Sequence, residues 1–491
     1  MIVSEDEMRR AAGLVVAVLL LSGMACGQSA ESPRKIPITA SSPEARNAYL
    51  KGRDLIDKLR SDEARPLLDE AISKDPNFAQ AYLLRMVTAT SVTEFFADLN
   101  SAEAAAHKVS EGEQLMIRAA EASAKGNTVE SGEFLQKLVA MYPDDERAHE
   151  SLSFYYQGIQ QFDQAIAESQ KAIQLAPDFA PVYNALGYQL RDAQKNKEAE
   201  AAFRKYIELI PNEPNPYDSL AELLMKMGRF DESIESYRKA LSLDTHFFSG
   251  YRGIATNLMY QDKHNEALAQ LQKEYDLALN DGDREDALMN MAICYLDEGK
   301  FSEALERISK ISSMADQRGD KAAAAFNADT RGYLLLNEGK IEEAKAEFGK
   351  ALELAQQSAI PSTTKKSFEF GIDGRMALVA SAKKDFEYAK KEAEDMKAGF
   401  ETLGNPAQVR TAHEVLGIIA LDQEKYDEAI SHLTEANPQS PYVMFQLAKA
   451  YSGKKDSEKA ANYYQKVANA NTLPDLQYAL VRKQAKDALG K

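Results

Sequence analysis

The chain of 491 residues has no tryptophan, two cysteines and six histidines. One cysteine, Cys26, is read below as a lipid attachment point, so no intramolecular disulfide is expected. The other, Cys294, sits beside Ala292 and Ile293 and reads as a small core residue. No run of Lys and Arg longer than a pair occurs, and the formal charge is −17. Phosphate neutralisation needs clustered cations, so this balance disfavours nucleic acid and anionic membrane surfaces as partners. The surplus Glu and Asp are expected to solvate outer helix faces.

Chemistry-bearing constellations are missing too. His149-Glu150 and His413-Glu414 begin like a zinc-protease helix, but Ser153 and Gly417 stand where the second histidine belongs. There is no phosphate-cradling glycine loop closed by Lys-Ser/Thr and no Gly-x-Ser-x-Gly elbow. Acid pairs such as Glu342-Glu343 have the spacing of solvated helix surfaces. No catalytic residue, metal or cofactor is expected, and the chain is read as a non-enzyme.

What is present is a repeat. Eleven pairs of small residues, twelve positions apart, run from Gly52/Ala64 through Ala119/Ser131, Ser153/Ala165, Gly187/Ala199, Ala221/Ser233 and Ala255/Ala267. Ala292/Ala304, Gly332/Ala344, Ala377/Ala389, Gly417/Ala429 and Ala448/Ala460 complete the series. All are Gly, Ala or Ser, which composition alone would place at roughly a quarter of sites. Two helices joined by a short turn approach closely only where side chains are small, so each pair marks a helix–helix contact. Larger apolar residues surround the markers: Tyr183, Leu186 and Leu190 on one helix, Phe203 and Tyr206 on the next. Pro211 then stops the second helix, as Pro76, Pro143 and Pro177 do elsewhere.

The stretches 48–76 and 182–211 resemble tetratricopeptide repeats, and the period extends that resemblance over about nine tenths of the chain. The tryptophan often found early in that repeat is replaced by Tyr183, Tyr217 and Tyr251, whose rings can fill the same slot. The resemblance implies an all-α, right-handed superhelical solenoid of about twelve repeats, with a C-terminal capping helix over 475–491 covering the last apolar face.

The period also divides the chain. With Met86 as marker of a degenerate repeat, the first marker advances by 33 or 34 residues up to Ala255, then by 37, 40, 45, 40 and 31. This predicts a regular array over 45–281, longer repeats over 282–440, and a last repeat with its capping helix over 441–491, with a bend near residue 282. Phe95-Phe96, in the degenerate stretch 79–111, are expected to plug an irregular core; a docking point for a partner is the other reading.

The first residues follow different physics. Arg9 and Arg10 precede an uncharged run from Ala11 to Leu21, then small residues up to Cys26. Residues 1–25 read as a secretion signal too short to span a bilayer. Three acids within Ser4–Glu7 suit such a leader poorly and point to Met8 as the true start. The sequence LSGMACG resembles the bacterial lipobox, with Gly23 departing from its usual aliphatic residue. That resemblance implies acylation of Cys26, anchoring to a membrane and, with no Asp after the cysteine, the outer membrane facing the periplasm. Plain secretion is the alternative. Residues 26–44, rich in Ser, Pro and Ala, are expected to form a flexible tether.

In tetratricopeptide proteins the first helix of each repeat lines an inner groove that takes extended or helical peptides. Carried onto this chain, the groove comprises Tyr188, Arg191, Asp218, Glu222, Met225, Arg252, Met259, Tyr260, Ile293, Leu296 and Tyr333. Aromatics, Met and alternating charge suit a protein segment. The equally bland reading has these side chains packing against their neighbours. The Lys/Asn clamp with which some such domains grip a C-terminal carboxylate is absent: its positions hold Asn184/Tyr188, Asp218/Glu222 and Arg252/Thr256. The expected role is therefore a membrane-anchored adaptor binding a protein segment in the cell envelope. The competing readings are a sensory ligand-binding module, suggested by residues 110–145, a hydrolase or glycan-active enzyme hidden in the repeats, and a carrier for a small apolar ligand.

Overall fold

The computed structural model describes residues 35–490 except 90, 91, 405 and 474. The leader and Cys26 lie outside the described residues. Among the described residues there are twelve helix–turn–helix pairs, one single helix at the end, and no strand. The helical solenoid expected from the marker spacing is what forms. No described helix is long and apolar enough to cross a membrane.

The local causes are regular. All 22 marker residues are buried, and the glycines among them show why. A Cβ on Gly187 would lie 2.4 Å from the Phe203 ring, and one on Gly332 would lie 2.6 Å from Phe348. Gly52 faces Leu68 and Gly417 faces Leu433 in the same way, so a small residue at i receives a large one at i+16. Seven residues after each first marker the turn takes a positive φ. Gly occupies that position four times, at Gly126, Gly228, Gly299 and Gly339; the rest are Leu59, Gln160, Gln194, Asp262, Lys384, Glu424 and Lys455. Helices end at Lys74, Met141, Leu175 and Leu209, each two residues before a proline. The Tyr183 and Tyr217 hydroxyls donate to the carbonyls of Pro177 and Pro211 (2.9 and 3.0 Å), tying the tyrosines in the tryptophan slot to the preceding turn.

The chain divides into two compact units between Leu223 and Leu224, within the helix Asn215–Lys226. In the first unit, most helices have 13–15 residues. One continuous apolar core runs from Ile36 to Leu152. The degenerate repeat has a first helix of only eight residues, Ala79–Met86, followed by Val92–Ala105. Phe95 and Phe96 stack edge-on at 5.2 Å and pack against the core, which supports the packing reading. Across the unit's interior, Arg147 meets Asp57 at 2.7 Å and Arg60 lies 3.8 Å from Glu213.

In the second unit, the extra residues of the longer period go into the helices. Asp281–Glu298, Phe301–Arg318, Lys321–Asn337, Ile341–Gln357, Ser362–Ala382, Phe386–Leu403 and Pro406–Asp422 have 17 to 21 residues each. The last helix, Leu476–Ala488, packs on the final pair, Pro441–Gly453 and Ser457–Ala468, as a cap should. It also packs against Asp281–Glu298, nearly two hundred residues earlier in the chain. A cap covers with one face, whereas here five successive residues, Tyr478 to Arg482, are buried.

One expectation is corrected. From Lys35 on, the stretch read as a tether is held in place. The helix Pro43–Asp57 starts inside it, capped by the Ser42 side chain on Ala45 N. Ile36 belongs to the core.

Candidate functional site

The first unit holds the segment Lys35–Ser41 through three carboxylates, two of which, Asp145 and Glu113, also cap helices. Asp145 caps Glu146–Gly158 by accepting from the Arg147 and Ala148 amides, both at 3.0 Å. Its other oxygen accepts from Ile36 N at 3.0 Å. Glu113 closes the capping box with Ser110 and also accepts from Thr39 N (2.9 Å) and Thr39 Oγ1 (2.6 Å). Asp75 accepts from Ser41 N at 2.6 Å. Gln80 links the set: it accepts from the Tyr49 hydroxyl at 2.9 Å and donates to Pro37 O at 2.9 Å and to Glu113 at 3.0 Å. Lys35 adds an ion pair to Glu146 at 2.5 Å. From the Ile36 amide to the Ser41 amide there are five residue steps, at most roughly 17 Å of chain, which matches two helix-packing steps of about 8–10 Å. The surface therefore reads a peptide backbone at one carboxylate per repeat or so. Burial pushes the Asp145 carboxyl up, while the Ile36 and Ala148 amides oppose that shift.

Farther along this unit, four of the sequence-predicted groove residues come together. The Arg191 guanidinium lies over the Tyr188 ring at 4.6 Å and bonds Glu222 at 3.2 Å. The Tyr188 hydroxyl donates to Ser219 Oγ at 3.3 Å, beside the buried Asp218. Burial and the neighbouring Glu222 and Asp218 hold the Tyr188 phenol well above its usual range. Arg191 and Glu222 remain half-buried.

In the second unit, Met225, Met259, Tyr260, Ile293, Leu296 and Tyr333 are all buried. Arg252, Met259 and Ile293 line one small cleft together with Cys294. Arg252 bonds Asp286 at 2.9 Å. Burial pushes the Cys294 thiol up to about 12, in keeping with a core role. Tyr333 opens on a second cleft with Arg375, Glu414, Tyr442 and Gln477. Arg375 stacks on the Tyr333 ring at 4.5 Å and chelates Asp329 at 2.9 and 3.1 Å.

Tyr260 is covered by the end of the chain. Its hydroxyl donates to Thr472 O, and its ring lies 6.1 Å from Tyr478. Arg482 sits over the Tyr260 ring at 4.9 Å and donates to Tyr260 O at 3.0 Å. The same guanidinium bonds Asp297 Oδ2 at 2.6 Å, with Arg482 4% and Asp297 1% exposed. His264 Nε2 shares that carboxylate oxygen at 2.9 Å. Lys486 pairs with Asp262 at 2.9 Å, and Gln477 donates to Glu414 at 3.1 Å.

Sequence reasoning missed two sets of residues: the cradle of Asp75, Gln80, Glu113 and Asp145, and the stripe of Tyr478, Arg482 and Lys486. The stripe's four-residue spacing is legible in the sequence. Its partners, 185 or more residues away, are not. Among the described residues no cluster of His, Cys, Asp or Glu could hold a metal ion.

Models of the tetratricopeptide repeat match residues 180–213, 215–247, 330–358 and 420–483. These stretches are tetratricopeptide repeats, and both units of the chain carry them. The chain is similar to a solved tetratricopeptide repeat protein from Parabacteroides merdae at 16% identity and a TM-score of 0.35, over 56% of this chain and 94% of that one. A thermophilic repeat protein of Thermus thermophilus, TTC0263, is 23% identical with a TM-score of 0.29, over 44% and 98% of the two chains. MamA of Desulfovibrio magneticus is 15% identical with a TM-score of 0.30, over 33% and 92%. No curated protein matches the chain.

Proposed function

We propose that this protein is a non-enzymatic scaffold of the bacterial cell envelope, anchored through lipid on Cys26, whose repeats bind a segment of another protein. Tetratricopeptide repeats are protein-interaction modules, and that coarse role rests on the repeats themselves. One observation carries the finer reading: the first unit already cradles a peptide, Lys35–Ser41, by its backbone on Asp75, Glu113 and Asp145. Backbone capture of this kind is how a rigid repeat surface takes an unfolded segment. The anchor rests on the leader anatomy, with the protein facing the periplasm from the outer membrane. Confinement there raises the effective concentration of a co-anchored partner without any new contact.

The test is affinity capture of membrane-extracted full-length protein beside a Cys26→Ser version, with mass spectrometry of both. The proposal expects lipid on the wild type only and an envelope protein recovered with it. Identical fractionation of the two versions would overturn the anchor. Clean lipidation with no protein recovered would overturn the scaffold.

A further inference from the structure

The last helix enters the second unit's inner surface along one stripe. Tyr478, Arg482 and Lys486 stand four residues apart and so share a helix face. Each has its own receiver. Tyr478 faces the Tyr260 ring, Arg482 takes Asp297 and the Tyr260 carbonyl, and Lys486 takes Asp262. The receivers come from Ser249–Tyr260, from the turn after it and from Asp281–Glu298, so two successive repeats form one wall. That wall offers Asp262 and Asp297, its Glu298 side chain being paired with Lys300 at 2.7 Å, and the helix set against it carries Arg482, Lys483 and Lys486. Lys483 reaches the Glu298 carbonyl at 3.4 Å.

Two further features separate this helix from a permanent strut. Charge-assisted and aromatic contacts tie it to that wall; the exposed Lys486–Asp262 pair weakens with salt while the buried Arg482–Asp297 pair is little screened, and both can be matched by another chain. It is also joined to the preceding helix, Ser457–Ala468, through a short loop in which Asn471 adopts a positive φ of 44°. A helix on so short a leash has an effective concentration in the millimolar range. It closes the surface against weak ligands and yields to a stronger one.

We propose that this surface is a receptor for an amphipathic helix bearing an aromatic residue followed, at four-residue steps, by Arg and Lys, and that the chain's own last helix is its resident, exchangeable occupant. The proposal rests on the scaffold reading and supplies the chemistry of one partner. A competing helix in trans binds with an apparent affinity reduced by the fraction of time the surface stands open. Release of the resident helix uncovers the buried Tyr260 and Asp297 and frees the already exposed Asp262 from Lys486 for that partner.

A fluorescein-labelled peptide of residues 471–491 tests this against full-length wild type and a full-length Arg482→Glu/Lys486→Glu variant. The peptide should bind the variant roughly tenfold or more tightly than it binds wild type, because the variant's own helix no longer competes. Binding to the variant should weaken with added salt. Equal binding to both proteins, or none to a folded variant, overturns the proposal. Amide exchange on wild type decides independently of the variant's folding. Helix 476–488 should exchange at least roughly tenfold faster than helix 281–298; joint exchange of the two would make the last helix a strut and sink the idea. Peptide binding without any captured envelope protein would keep the receptor and overturn the scaffold; the reverse result would do the opposite.

Discussion

Arg147 and Asp57, ninety residues apart, form a two-pronged ion pair (2.7 and 3.2 Å) inside the first unit. The guanidinium also lies over the Phe179 ring at 4.4 Å. Arg147 Nε and Arg53 Nη1 are buried without hydrogen-bond partners, and so is Oε2 of Glu150, a buried carboxylate within electrostatic reach of Arg147. Burial first, and then Arg147, pushes the Arg53 guanidinium down to about 10. Removing the acid takes away the carboxylate bonded to Arg147 and one that supports the charge on Arg53, leaving Arg147 to the field of the unbonded Glu150. Asp57→Ala is expected to cost about 3–5 kcal/mol, the usual penalty for breaking one side of a buried pair. Urea unfolding of the full chain measures it; a loss below about 1 kcal/mol would show that solvent already screens the pair.

The marker glycines differ in how much they can give. At Gly187 an added methyl would meet a rigid ring, Phe203, at 2.4 Å, whereas at Gly52 it would meet the flexible end of Leu68 at 3.0 Å. Overpacking costs about 1–3 kcal/mol, and alanine returns about 1 kcal/mol of helix propensity. Gly187→Ala should lose up to about 2 kcal/mol, and Gly52→Ala should be close to neutral. Phe203→Leu in the Gly187→Ala background should recover part of the loss, which a double-mutant cycle would read.

Seven of the eleven turns hold a side chain at positive φ, among them Leu59 at 59° and Lys384 at 64°. Leu59→Gly and Lys384→Gly should each stabilise the chain by up to about 1 kcal/mol, since glycine carries no Cβ to clash there. Gly299→Ala, at φ 87°, should cost a similar amount. Thermal melting of the three variants would check the signs together.

Glu274 is 0% exposed and neither of its carboxylate oxygens has a hydrogen-bond partner. The nearest cation is Arg252 at 3.6 Å. Burial raises its pKa to about 8, with Arg252 opposing the shift. The folded protein therefore holds a proton that the unfolded chain has already released above its usual value near 4.5. Folded binds more protons than unfolded across that window, so stability falls as pH rises from about 4.5 to 8. The slope should approach 1.4 kcal/mol per pH unit, in round terms about one proton's worth. Glu274→Gln should flatten that slope and melt higher at pH 8; an unchanged pH profile would show that the carboxylate stays ionised in the folded state.

Much of this architecture was legible because it is local. A small residue at i, another at i+12, and a large one at i+16 are enough to define a helix–turn–helix contact, as Gly187, Ala199 and Phe203 illustrate. The groove side chains were harder to read. Tyr188, Arg191 and Glu222 do gather, since neighbouring repeats place them 31 to 34 residues apart. Met225, Met259 and Ile293 have the same spacing, yet all are buried, because periodicity alone does not say which inner face stays open.

The sequence by itself therefore determined the repeat, its helices and its turns, all matters of contacts within one or two successive repeats. Tertiary structure decided what occupies the inner surfaces. Lys35–Ser41 reach acids up to 111 residues away, and Arg482 reaches Asp297 across 185. Those contacts depend on the curvature accumulated over several repeats, a sum of small rotations that no single repeat's sequence records.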